Sequence, residues 1–241
     1  MSDAARRTLA PYRRSLIPLP ESTSVVDSRI GDHGPALLTL EDGSVFPGVA
    51  WGAPRAAGGD LVVNTSQSGY QEICTDPSYA GQVVLMTYPL IGNYGRLVSD
   101  DQSSQPWLRG LIVASATAAI TEDAAQIAAL LRQHGVPAIA GVETRSLARR
   151  LRETGAQRAR ISAPWEADHD AALAATLALP RWEDQDFVGQ VSPTDVQTYG
   201  DAGEPLVHRL STSTGRSSTD VGRSSTALPA VVHRIHRVSY I

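Results

Sequence analysis

The sequence predicts a mixed α+β domain flanked by two irregular tails. Three observations predict it. Short apolar runs bounded by Gly, Pro, Asn and Asp fill residues 36–114, which is strand patterning. The segments 121–135 and 144–155 carry helical periodicity and stop on glycine. Strands come first and helices join later, without the regular alternation of a doubly wound sheet.

Ala36-Leu37-Leu38-Thr39-Leu40 reads as a strand, and Glu41-Asp42-Gly43-Ser44 as a turn in which Gly43 is free to take φ > 0. Val45 to Trp51 returns as the second strand of a hairpin, with Pro47 hinting at an edge. Ala57-Gly58-Gly59-Asp60 reads as a Gly-rich loop and Leu61 to Thr65 as a short buried strand. A polar stretch, 64–79, separates it from the next strand, Val83 to Tyr88, which Pro89 closes. Gly92-Asn93-Tyr94-Gly95 marks a loop, and Leu111 to Ala114 a further strand.

In the first helix, Thr121 is placed to cap, Glu122 and Asp123 favour the dipole of the first turn, and Gly135 stops it. Its residues Ile127, Leu130 and Leu131 form one stripe. Val136 to Ala140 is a strand. Thr144 is placed to cap the second helix, where Leu147 and Leu151 lie one turn apart and Gly155 stops it. Arg158 to Ala163 reads as a strand, and Asp168 to Leu179 as an Ala-rich third helix.

Residues 1–35 read as a disordered extension. Arg6, Arg7, Arg13 and Arg14 are not followed by an apolar core, which argues against a secretory signal, and Pro18, Pro20 and Pro35 argue against regular structure. Residues 206–241 read as a low-complexity tail. From Val207 to Ile241 there are five Arg, three His and eleven Ser or Thr, with Asp220 the only acid and Gly-Arg-Ser-Ser-Thr present twice. Such a segment has little apolar surface to offset its ordering entropy, so disorder is expected.

Of 241 residues, 42% are hydrophobic and 19% charged, the balance of a globular protein. The formal charge of −4 gives no reason to expect nucleic acid or an acidic membrane. All 21 basic residues are Arg, which points to a high-GC coding sequence. The single cysteine, Cys74, excludes an internal disulfide and fits a reducing, cytoplasmic compartment. No apolar run approaches the roughly 20 residues of a membrane span.

The residues offer little catalytic chemistry. Cys74 stands in Gln-Glu-Ile-Cys-Thr-Asp, without the elbow glycine or neighbouring His of a thiol nucleophile, and reads as structural. Gly-x-Ser-x-Gly, Gly-x-x-x-x-Gly-Lys and Gly-x-Gly-x-x-Gly are all absent. The histidines are His33, His134, His169, His208, His233 and His236. The i, i+3 pair His233/His236 lacks a Cys or carboxylate cluster and reads as solvated, so no metal and no cofactor is expected. The densest polar segment is 64–79. Its bland reading is a loop whose side chains satisfy its own backbone; its functional reading is the rim of a small-ligand site.

Several blocks carry a family resemblance. These are Leu40-Glu41-Asp42-Gly43, Asn64 to Ile73, Thr75-Asp76-Pro77-Ser78-Tyr79, and Thr87-Tyr88-Pro89-Leu90-Ile91-Gly92-Asn93-Tyr94-Gly95. Glu143 to Leu147 and Arg149 to Gly155 complete the set. In this order and spacing, residues 36 to about 205 resemble the amino-terminal domain of the small, glutamine-hydrolysing subunit of carbamoyl phosphate synthetase. The resemblance implies one layered β/β/α domain of swivelling type over 36–205. That domain helps dock the small subunit on the large synthetase subunit. It implies glutamine, bicarbonate and ATP as substrates of the whole assembly, in arginine or pyrimidine synthesis. It also implies that Ser78 reaches the glutamine of an adjoining amidotransferase domain, which would hold the Cys–His–Glu triad.

The departures are Asp60 where Glu is usual, Val63 where an aromatic is common, and Gln67-Ser68 where Met-Thr is more usual. From His208 the likeness stops, and the expectation is a truncated small subunit with no catalytic residue of its own. The composition after Val207 is what a shifted high-GC reading frame would give. Two other readings are a subunit assembled from two gene products and a stand-alone binding module with a different protein partner.

Overall fold

The structure is a computed structural model, and it describes residues 26–27, 34–118, 126–162, 169–192, 197–199 and 206–208. Two units divide the chain, Met1–Gln185 and Asp186–Ile241.

The first unit opens on the hairpin of β1 (Pro35–Leu40) and β2 (Val45–Ala50). Leu40 N–H donates to the Ser44 carbonyl at 2.9 Å, which closes a three-residue loop in which Gly43 has φ 86°. β3 (Ala57–Asn64) leads to helix α1 (Tyr70–Thr75), a 3-10 turn at Pro77–Tyr79, and β4 (Gln82–Met86). β5 (Leu90–Ile91), a second 3-10 turn at Val98–Asp100, β6 (Gly110–Ile112) and β7 (Ser115–Ala116) follow. Then come α2 (Ile127–Gln133), β8 (Ala138–Ala140), α3 (Thr144–Thr154), β9 (Gln157–Ile161), α4 (His169–Leu177) and a 3-10 turn at Trp182–Asp184.

Seven strands close into a barrel in the order β1-β2-β8-β6-β4-β3-β9, with β9 returning to β1. The run β8-β6-β4-β3 is parallel, and every other pairing is antiparallel. Closure removes the sheet edges that would otherwise need protection. β5 and β7 form a separate parallel pair.

The parallel strands are apolar on both faces, and the two faces feed different cores. Val83 and Leu85 of β4 point inward with Leu38, Leu40, Leu61, Ile112, Ile139 and Ile161. Leu147, Ala148 and Leu151 join them, so α3 closes this interior. Val84 and Met86 point outward, where Tyr70, Ile73 and Cys74 of α1 and Ile127, Ala128, Leu130 and Leu131 of α2 cover them. Each fully buried Leu or Ile of this kind contributes roughly 1.5–3 kcal/mol.

The mixed α+β class is observed, and several expectations change in detail. Ala57 to Asp60 is not a loop but the start of β3. Glycine is needed there because a Cβ on Gly59 would sit 1.9 Å from the Gly81 carbonyl oxygen, and one on Gly58 2.5 Å from that of Ala159. The polar stretch contains α1 and a 3-10 turn rather than loop alone. Thr144 is the first helical residue of α3, with Glu143 before it, so it is not the cap. Thr121, Glu122 and Asp123 lie outside the described residues, and α2 starts at Ile127 behind Gln126.

Pro47 lies in a strand paired on both sides, between β1 and β8. It opposes Leu37, a position whose N–H points away from β1, while β8 reaches only Val49 and Ala50. The proline therefore costs no ladder bond.

The expected N-terminal disorder is corrected at Val26 and Asp27. Val26 is 3% exposed and bridges Ala116. Asp27 N–H donates to the Ala116 carbonyl at 2.9 Å, and its carboxylate accepts from the Ala118 N–H at 3.3 Å. Pro35, read as a breaker, is the first residue of β1, where a missing N–H is tolerated. In the second unit, α5 (Val188–Val191) precedes β10 (Gln197–Tyr199), which pairs antiparallel with β11 (Leu206–His208). This pairing crosses position 205, the expected end of the domain. His33, His233, His236 and the Ser/Arg repeats lie outside the described residues.

Candidate functional site

The site is built around α1, which has six residues and would be marginal alone. Tyr70, Ile73 and Cys74 recur at i, i+3, i+4 and bury one face in the outer core. The N-cap residue is Gly69 at φ 84°, which offers no side chain. Tyr94 supplies the missing acceptor: its hydroxyl takes the Gly69 N–H at 2.7 Å and the Tyr70 N–H at 3.1 Å. The two tyrosine rings stack with centroids 4.1 Å apart, and the Tyr70 hydroxyl donates to the Gly95 carbonyl at 2.8 Å.

The rest of the polar stretch is tied to the loop 94–107 in the same way. Gln71, 2% exposed, donates from Nε2 to the Leu97 carbonyl and to Asp101 Oδ1 at 2.6 Å. Its Oε1 accepts from the Leu97 N–H at 2.9 Å. Arg96 pairs with the same Asp101 carboxylate. The Thr75 hydroxyl accepts from the Gln102 N–H at 2.9 Å, while Ser103 Oγ donates to the Thr75 carbonyl at 2.6 Å and accepts from Trp107 Nε1 at 2.8 Å. At the other end, Asn64 Nδ2 donates to the Tyr79 hydroxyl at 3.0 Å. The bland reading holds for Asn64 and Asp76, which accept from the nearby Ser66 and Ser78 N–H groups, whereas Tyr70, Gln71 and Thr75 are tied to a different loop.

Ser78 is not engaged in this way, nor are the exposed side chains of Thr65, Ser66, Gln67 and Ser68. Ser78 lies on the 3-10 turn between α1 and β4 and is exposed. Pro77 presets the turn, and the Asp76 carboxylate accepts the Ser78 N–H at 2.8 Å, so the backbone is fixed. The hydroxyl has no hydrogen-bond partner among the described residues. The arrangement presents one free hydroxyl on a rigid turn, able to donate or accept one bond.

Cys74, four residues away, offers nothing comparable. It is 0% exposed. Burial pushes its thiol up to about 12, and the negative charges of Asp101 and Glu72 push the same way. At neutral pH it is a neutral thiol, not a nucleophile. His134 and His169 are exposed on α2's C-cap and at the start of α4. Among the described residues no cluster of three His, Cys, Asp or Glu could hold a metal ion.

The loop residues Tyr94, Asp101 and Ser103 were not singled out by sequence reasoning as partners of the polar stretch. The only signal for them is the polar run 99–105 directly after the Gly92-Asn93-Tyr94-Gly95 segment, and nothing in it says where that run folds back.

Comparison with known proteins places this region in a wider frame. Residues 38–161 match the family model of the carbamoyl-phosphate synthase small chain, CPSase domain. The carbamoyl phosphate synthase small chain of Chlorobaculum tepidum is 46% identical over 160 residues, which cover 66% of this chain and 43% of that protein. That of Thioalkalivibrio sulfidiphilus is 43% identical over 167 residues, 68% of this chain and 44% of the relative. That of Methanopyrus kandleri is 38% identical over 188 residues, 76% of this chain and 52% of the relative. The chain thus spans about half the length of the curated relatives it matches or less.

Proposed function

Because this chain belongs to the carbamoyl-phosphate synthase small chain family, we propose that it supplies the docking and scaffold domain of a glutamine-dependent carbamoyl phosphate synthetase, without supplying the nucleophile. The observation that carries this reading is the contrast inside one segment. The only thiol is sealed in the core with its pKa pushed up to about 12, while Ser78 holds an exposed hydroxyl on a fixed turn. A buried neutral thiol cannot attack a carboxamide, whereas an exposed hydroxyl can hold one.

On this reading the partner is the large synthetase subunit, in carbamoyl phosphate synthesis for arginine or pyrimidines in the cytoplasm. Ser78 contacts glutamine only when an amidotransferase domain adjoins the turn. The layered β/β/α arrangement belongs to the same reading, and the two opposed cores support it: one lies between the barrel walls, the other between one wall and the helices α1 and α2.

The test is ammonia release from glutamine. The chain alone should give none beyond a Cys74→Ser variant. Turnover that vanishes in Cys74→Ser would overturn the reading. With an amidotransferase domain supplied, Ser78→Ala should weaken glutamine by about 0.5–1.5 kcal/mol, the net worth of one hydrogen bond. Unchanged apparent affinity would remove Ser78 from the site.

A further inference from the structure

The segment after α4 is strapped to the outside of the barrel. The Leu177 carbonyl, orphaned at the helix end, accepts from Arg158 Nη1 of β9 at 3.1 Å, and the Leu179 carbonyl accepts from the same nitrogen. Leu179 lies against Gly58 of β3, where a Cβ would come within 2.7 Å of its Cδ1. The 3-10 turn at Trp182–Asp184 then meets Asp60 of β3, whose carboxylate accepts from the Trp182 backbone N–H.

Trp182 is 40% exposed and belongs to neither hydrophobic core. Its indole nevertheless turns its one polar group inward, and Nε1 donates to the Ala80 carbonyl at 2.9 Å. Among the described residues that carbonyl takes no other hydrogen bond. Ala80 is 4% exposed, so without the indole its carbonyl would be left short of a partner.

Ala80 is the residue on which the Pro77–Tyr79 turn ends, and its N–H donates to the Pro77 carbonyl at 3.0 Å. Asp76 fixes the entry to that turn through the Ser78 N–H, and Asn64 holds the Tyr79 hydroxyl. The exit is held by a residue 102 positions away. Gly81 follows at φ 80°, a joint with no side chain to stiffen it, so the exit is set by what grips Ala80. We infer that Trp182 is a positioning residue for Ser78: by gripping the Ala80 carbonyl it fixes the exit of the turn, and with it the direction in which the Ser78 hydroxyl is offered to glutamine. Arg158 and Asp60 act one step further back, since they hold the strap that carries the indole.

This inference rests on the assignment of Ser78 to glutamine proposed above, and two measurements separate them. Trp182→Phe keeps an aromatic ring and removes the donor. In the chain alone, amide hydrogen exchange across residues 76–81 should quicken by roughly three- to tenfold, the worth of one hydrogen bond, with exchange in β4 unchanged. Unchanged exchange at 76–81, or an equal quickening throughout β4, overturns the role of Trp182 while the assignment of Ser78 stands. If Trp182→Phe melts early, Trp182→His, whose ring still offers an N–H, is measured beside it. Recovery of slow exchange supports the donor role, and exchange as fast as in Trp182→Phe overturns it. With an amidotransferase domain supplied, kcat and KM for glutamine are measured for Trp182→Phe, Ser78→Ala and the double variant. Trp182→Phe should raise KM roughly two- to fivefold at unchanged kcat and add nothing in the Ser78→Ala background, because both act through one hydroxyl. Additive effects overturn the inference. An unaltered KM in Ser78→Ala overturns the assignment of Ser78 and this inference with it, whatever the exchange shows.

Discussion

Helices α1 and α3 both bury an apolar face against the barrel, yet they use their polar side chains in opposite ways. Around α1 the polar groups that face the loop 94–107 are consumed by it. Tyr94 caps the helix, Gln71 makes three bonds to one loop, and Thr75 and Ser103 close the far end. On α3 Arg150 and Thr154 are so engaged, whereas Arg145, Arg149 and Arg152 are exposed and make no ion pair or hydrogen bond among the described residues. Polar density is therefore a poor guide to function here. What separates a structural polar group from a candidate contact is whether the fold has already satisfied it.

That comparison can be broken at α1 first, where the largest effect at neutral pH is expected. Gln71→Ala removes three bonds and leaves the Leu97 N–H without its acceptor, while Asp101 Oδ1 keeps Arg96 and the Leu97 carbonyl keeps the Asp100 N–H. It should cost about 3 kcal/mol, read as a lower denaturant midpoint at constant slope. A loss below about 0.5 kcal/mol would show that the loop 94–107 does not depend on α1.

The next effect is alkaline. Cys74 carries its proton in the folded state up to about 12, whereas the unfolded thiol releases it near 9.0. Its contribution is whole below pH 9.0 and is lost as pH rises toward 12, at about 1.4 kcal/mol per pH unit. Burial also holds the Tyr70 hydroxyl above its ordinary range, which acts in the same direction. Unfolding measured from pH 8 upward should show this decline, and Cys74→Ser should flatten part of it. A native thiol that reacts with a thiol reagent at pH 8 at the rate of the unfolded chain would contradict the burial of Cys74.

The smallest change sharpens the contrast between the helices. Tyr94→Phe keeps the stacked ring but removes the acceptor for Gly69 and Tyr70, at a cost of about 1 kcal/mol. Arg149→Gln, on the unmatched row of α3, should leave stability within about 0.5 kcal/mol of the original. Thermal melts of the two variants side by side decide it: equal losses would mean that the row on α3 is structural after all.

The barrel strands were legible because alternation and β-branched runs are local signals, and Val83 to Met86 reads as a strand without its neighbours. Gly58 and Gly59 were not, since glycine in sequence marks a loop, and only the close approach of the Gly81 and Ala159 carbonyls makes it a strand requirement. Val26 illustrates the same limit. Nothing near it in sequence suggests a strand, and its order comes from Ala116, ninety residues away. Ser78 came from the resemblance of its motif, while the fact that its hydroxyl stays free could be seen only once Asn64, Tyr79 and Asp76 had found their partners.

By itself, the sequence determined the mixed class, the hairpin with its left-handed Gly43, and the three helices of the first unit that follow the early strands. These depend on periodicity, turn chemistry and residue type, which act over a few positions. The tertiary structure alone decided that the strands close into a barrel and that β4 serves two cores. It also decided which polar residues are spent on the fold, that Cys74 is sealed, and which arginines have no partner among the described residues. Those outcomes depend on which distant segments meet, and burial, pKa and hydrogen-bond satisfaction follow from that meeting rather than from the residue alone.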